Sequence, residues 1–130
     1  KNPVYYVQYA HARLCSILRK AQSSKLKFQK NFKAQIPNLK FLKEKDEFNL
    51  IRKLVKYPEI LNDISKNYEV HRLPRYALEL ARGFHNFYEK ERVITKDKNL
   101  TSARLALVMA TKIVLANTLK LMRIDTPGKM

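Results

Sequence analysis

Apolar residues recur along the start of the chain at the spacing of a single helix face. Val7, Ala10, Leu14, Ile17, Leu18 and Ala21 fall on one arc when residues 2–20 are wound at about 100° per residue. The arc is wide enough to be a core face. Asn2 suits the cap of such a helix, and Pro3 its first turn, where a missing N–H costs nothing. Beside the arc, not opposite it, Tyr6, Tyr9 and Arg13 follow at i, i+3 and i+7. Two phenols and a planar five-donor fork therefore run along the edge of a buried face. They either cap the core with wet hydroxyls or offer stacking planes to a ligand, and spacing alone leaves both open.

The pattern breaks at residues 22–24. Residues 25–45 then interleave Lys25, Lys27, Lys30, Lys33, Lys40, Lys43 and Lys45 with Leu26, Phe28, Phe32, Ile36, Leu39, Phe41 and Leu42. Periodicity is poor and Pro37 interrupts it, so this is expected to be a connecting segment with at most a short helix. Its lysines are either a solvated face or an apron for an RNA backbone.

A second helix is expected from Asp46, with Glu47 in the first turn where the dipole favours an acid, ending at Tyr57-Pro58. Pro58 opens a short third helix to about residue 67. A fourth, over 74–92, places Leu73, Tyr76, Ala77, Leu80, Ala81, Phe84 and Phe87 on one arc. Tyr88 lies at the margin of that arc with Arg92 one turn on, a second tyrosine–arginine pair, and His85 shares the flank. A fifth helix, over 101–122 and capped by Thr101 or Asn99, is apolar in nearly every direction and is expected to be central and surrounded. Arg104 breaks its apolarity and should snorkel or face a ligand. The tail, IDTPGKM, is expected to fray. Short connections make this a single all-α domain over residues 1–130, a bundle of about five helices.

Charge changes the picture more than composition does. Twenty-seven Lys+Arg against 11 Asp+Glu give a net +16, an excess that points to a polyanionic partner, because neutralising phosphates drives binding regardless of sequence. Cys15 is the sole cysteine, so no intramolecular disulfide can form, and a reducing, cytoplasmic setting is expected. The longest apolar stretch is punctuated by Lys112, Asn117 and Lys120, so no membrane span is expected. A start at Lys1, without an initiator methionine, suggests a piece of something longer.

Catalytic machinery is hard to find. The glycines, Gly83 and Gly128, are too far apart for a phosphate loop. No nucleophile stands near a histidine with an orienting acid, and His11, His71 and His85 lack metal-ligand spacing. The chain by itself is therefore expected to be a binding domain with no metal and no cofactor. The tyrosine–arginine pairs favour RNA with unstacked bases, which is read by stacking and by hydrogen bonds to base edges. The alternatives are a basic helical module for another structured RNA or an acidic protein and, less well supported, a helix-turn-helix DNA reader.

The run NPVYYVQYAHAR, followed by an apolar helix, resembles the start of the C-terminal anticodon-binding domain of arginyl-tRNA synthetases. Further on, VHRLPRY is similar to that family's H-x-L-x-x-Y, and FHNFYEKERV to its F-x-x-F-Y-x-x-x-x-V. ARLALVMATKIVLANTLKLM resembles its A-R-L-x-L-x-x-A-x-x-x-V-L-x-N-x-L-x-L-L helix, and the closing PGKM resembles its P-E-R-M. Met122-Arg123 stands where the family often has Leu-Gly, and Gly128 replaces an acidic residue. The resemblance implies the helical anticodon-binding fold of class I aminoacyl-tRNA synthetases and, as partner, the anticodon stem-loop of arginine tRNA.

Residue by residue, Tyr6, Tyr9 and Arg13, Tyr88 and Arg92, and Met130 match positions that line the family's anticodon pocket. Lys25, Lys27, Lys30 and Lys33 become candidates for phosphate contacts. The parent enzyme would be an arginine–tRNA ligase, a catalyst using ATP and arginine in a separate catalytic domain that is also a partner of this one. Signatures like that domain's H-I-G-H and K-M-S-K-S do not occur here.

Overall fold

The computed structural model describes residues 3–23 and 39–130. Five α-helices follow one another: α1 Pro3–Ser23, α2 Lys45–Val55, α3 Tyr57–Asn67, α4 Arg72–Lys90 and α5 Lys98–Leu121, with a 3-10 turn at Leu39–Phe41 ahead of α2. All the regular structure among the described residues is helical, in agreement with the all-α expectation. Lys25, Lys27, Lys30 and Lys33 lie outside the described residues.

The core forms where the periodicity places it. The α1 arc of Val7, Ala10, Leu14, Ile17, Leu18 and Ala21 is buried against α4 and α5. From α4 come Leu80, Ala81, Phe84 and Phe87, all fully buried. Truncating either phenylalanine to alanine would cost about 3–5 kcal/mol, lost transfer energy plus a cavity. Gly83 admits α2 at close range, since a Cβ there would stand 2.9 Å from Lys53 Cδ. The Tyr76 hydroxyl donates to the Lys53 carbonyl at 2.6 Å, a second tie between α2 and α4. Burial, first, and the neighbouring Tyr57 and Glu79 push this phenol well above its usual range.

Several boundaries differ from the sequence expectation. Asp97, not Thr101 or Asn99, caps α5, its carboxylate accepting from the Asn99 and Leu100 amides at 3.0 and 3.3 Å. Helix α4 runs from Arg72 and stops at Lys90, where Glu91 turns extended (φ −120°, ψ 138°). Arg92 therefore sits on the α4–α5 connection and not on the helix.

Helix α5 is central but not surrounded. Its length and mean hydropathy of 1.3 over an 18-residue window would allow a membrane span, contrary to the sequence expectation. Ten of its residues are nevertheless buried in the bundle, including Leu105, Val108, Leu115 and Leu119. Its far side, with Ile113 and Leu121, is open. Thr111 and Thr118 can be fully buried because each hydroxyl donates to the carbonyl four residues back, Leu107 at 2.8 Å and Val114 at 2.7 Å.

Arg104 does not snorkel; its guanidinium is buried and paired with Glu47 and Glu91. The tail does not fray either. Gln8 donates to the Asp125 carbonyl (3.1 Å), His11 Nδ1 to Pro127 (2.9 Å) and Arg19 to Gly128 (2.9 Å), strapping residues 125–128 along α1.

Candidate nucleic-acid interface

Helix α1 brings Tyr9 and Arg13 to the surface one turn apart, and α4 brings Tyr88 opposite them. The Arg13 guanidinium carbon lies 5.0 Å from the Tyr9 ring centroid and 4.9 Å from that of Tyr88. Arg13 also donates to the Tyr9 hydroxyl. That bond, and then the one to Tyr88, hold its pKa above the usual arginine value against partial desolvation. The guanidinium is thus charged and pre-oriented between two aromatic faces, at much less rotamer entropy than a free arginine would lose on binding.

A cavity of about 870 Å³ opens beside this sandwich. Tyr9 and Arg13 stand on one wall, Tyr88, Arg92 and the apolar Val93 and Ile94 on another, and Met130 at its end. Arg19, Lys20 and Lys129 also line it, so five cations face the space against one acidic side chain, Glu91. Flat aromatic faces, a planar fork and a surplus of positive charge suit an unstacked nucleobase carried on a phosphate backbone.

Of the six anticodon-pocket residues named from the sequence, Tyr9, Arg13, Tyr88, Arg92 and Met130 are brought to this one cavity. Tyr6 is not among its lining residues. It packs behind Tyr9 against His85, ring centroids 5.0 Å apart, while Tyr9 stacks on the same imidazole at 6.2 Å. Burial raises the Tyr6 phenol above its usual range, and Arg82 opposes the shift. Burial, then Arg13, lowers His85 below its usual value, so its ring is a neutral support for both tyrosines near pH 7.

Arg19, Lys20, Val93, Ile94 and Lys129 were not singled out from the sequence. No periodicity could have found Lys129, since the three bonds that place it run from α1 side chains to carbonyls of the tail, which residue identity does not encode.

The model of the DALR anticodon binding domain matches residues 7–130, nearly the whole chain. The chain belongs to the DALR anticodon binding domain family. This DALR domain is 48% identical over 130 residues to an arginine–tRNA ligase of Dehalococcoides mccartyi, covering all of this chain and 22% of that protein. It is 45% identical over 129 residues to one from Symbiobacterium thermophilum, covering 99% of the chain and 23% of the relative. The chain thus spans about a fifth of the length of the curated relatives it matches. A solved Campylobacter jejuni structure, described as an arginyl-tRNA synthetase, superposes with a TM-score of 0.75 at 30% identity, over 99% of the DALR domain and 27% of that chain.

Proposed function

We propose that this domain recognises the anticodon stem-loop of arginine tRNAs and serves an arginine–tRNA ligase whose chemistry, with ATP and arginine, takes place in a catalytic domain outside these 130 residues. The work would be cytoplasmic. The observation that carries the proposal is the Arg13 guanidinium held between the Tyr9 and Tyr88 rings at the edge of a basic cavity. Four- to five-fold longer relatives named arginine–tRNA ligases supply the setting.

The genetic code says what must be read. Arginine codons share a middle G, so the middle anticodon base is always C, while its neighbour pairing with the first codon position must be tolerated as G or U. In this mechanism the tyrosines stack flipped bases, and Arg13 and nearby backbone groups read the cytosine edge. Tyr6 acts from behind, through His85 and Tyr9. Arg92 faces the bases from the opposite wall, while Lys129 meets phosphates, as do Lys25, Lys27, Lys30 and Lys33, and these lysines add salt dependence without sequence choice.

The test is a titration with an arginine anticodon stem-loop beside the same loop carrying U for the middle C, at two salt concentrations. Loss of binding on that single change, with the salt slope kept, is expected. Equal affinity for both loops would leave only a charge-driven RNA binder.

A further inference from the structure

Behind the Arg92 wall of the cavity lies a polar cluster that no base could touch. Arg104 of α5, with a side chain only 8% exposed, spends its donors in three directions. Its Nε donates to Glu47 Oε2 on α2 at 2.7 Å, its Nη2 to Glu91 Oε2 at 3.1 Å and its Nη1 to the Arg92 carbonyl at 2.7 Å. The other Glu47 oxygen accepts the Glu44 amide at 2.9 Å, so this fully buried carboxylate cannot swing.

Two of the three bonds grip the connection at the end of α4, where the Glu91 amide makes the closing helical bond, to the Phe87 carbonyl at 2.9 Å, and the chain then turns extended. That stretch, residues 91–94, forms part of the cavity wall. With the Arg92 carbonyl drawn inward to Arg104, the Arg92 side chain remains exposed at the cavity. A buried ion pair is a poor way to gain stability compared with apolar packing. A planar five-donor fork is, by contrast, a good way to fix three acceptors relative to one another.

Resting on the anticodon-loop function proposed above, we propose that Arg104 is a positioning residue for RNA readout, fixing the 91–94 wall, and with it Arg92, relative to Arg13 and Tyr88. Arg104 touches no RNA itself. Its effect passes through the wall, so it should act on base preference and not on salt dependence.

The test is Arg104→Lys, which keeps a charge for Glu47 but, with its donors on one nitrogen, cannot span three acceptors held by separate nitrogens of the fork, titrated with the middle-C and middle-U stem-loops. The folded variant should bind the middle-C loop about tenfold more weakly, with a reduced C-over-U preference and an unchanged salt slope. In an Arg92→Ala background the same change should cost about twofold or less, because the two act through one wall. Additive losses, or a folded Arg104→Lys with wild-type affinity and preference, would overturn the proposal. Should Arg104→Lys fail to fold, Glu91→Ala removes only the outer tie and leaves the buried pair. It too should lower the C-over-U preference, and an unchanged preference there would be decisive against Arg104. Failure of the wild-type chain to bind either loop would remove the anticodon function and this role together, whereas wild-type discrimination retained in the variants removes this role alone.

Discussion

The Arg13 guanidinium carbon stands 4.9 Å from the centre of the Tyr88 ring, a contact that joins α1 to the last turns of α4 across the mouth of the basic cavity. Neither residue is placed by the other's helix, so the pair exists only because the α1 and α4 core faces pack together. Tyr88→Ala should therefore weaken stem-loop binding by about 1–3 kcal/mol, the worth of one stacked base. Tyr88→Phe, which keeps the ring, should retain most of the affinity. Fluorescence anisotropy with a labelled stem-loop measures both. Equal affinities for the alanine variant and the wild type would exclude stacking on this ring.

Glu47 lies fully buried with one oxygen on the Glu44 amide and the other on Arg104. Glu47→Ala removes the fully buried partner of the Arg104 guanidinium, leaving it the more exposed Glu91, and should lower the unfolding free energy by about 3 kcal/mol, read from a urea titration by circular dichroism. Replacing both partners, Glu47→Leu with Arg104→Met, should recover much of that stability, because it removes the incompletely paired buried charge. A double variant no more stable than Glu47→Ala would mean that the cost lies in the lost α2 cap and not in the charge.

Helix positions and the core were legible because burial imposes a period on the sequence: the six apolar residues of the α1 arc are all buried. Tyr9, Arg13 and Tyr88 were legible for a related reason, as each lies at the margin of such an arc. Arg92 was placed on a helix it does not share, because the break at Glu91 carries neither proline nor glycine to announce it. Arg104 was misread because its partners lie 57 and 13 residues away, and no local pattern encodes a contact of that span. The tail was misread for the same reason. Its anchors on α1, Gln8, His11 and Arg19, bind backbone carbonyls more than a hundred positions away, and a carbonyl leaves no trace in residue identity.

His11 gives the fold a pH dependence of definite sign. Burial lowers its pKa below the usual value, and Lys112 and Lys120 add to this, while the bond to Pro127 opposes it. Burial likewise lowers His85. A base with a depressed native pKa binds its proton more readily in the unfolded chain, so stability is full above about pH 6.5 and falls as pH drops below it. The melting temperature should therefore decrease between pH 7.5 and 5.5, a window chosen above ordinary carboxylate titration. His11→Gln should flatten part of that slope. A melting temperature constant across the window would refute burial as the controlling effect on these two rings.

Arg123 holds a left-handed backbone conformation, φ 59°, just beyond α5. Its amide donates to the Lys120 carbonyl at 3.0 Å, and the Ile124 amide reaches back to Leu119 at 2.9 Å. This is the paired bonding of a Schellman helix end, a position that favours glycine because a Cβ crowds the carbonyl there. The turn is what aims residues 124–130 back along α1 and brings Met130 to the cavity. Arg123→Gly relieves the strain but adds freedom to the unfolded chain, and the two effects oppose each other. Relief outweighs the added freedom for a long side chain held at positive φ, so a net gain of about 0.5–1 kcal/mol is expected in the urea titration. Stem-loop affinity should stay the same, since the path of the tail is unchanged. A destabilised variant would show that the Arg123 side chain contributes more than its backbone costs. A stabilised variant with weakened RNA binding would show instead that this cation belongs to the phosphate-binding surface.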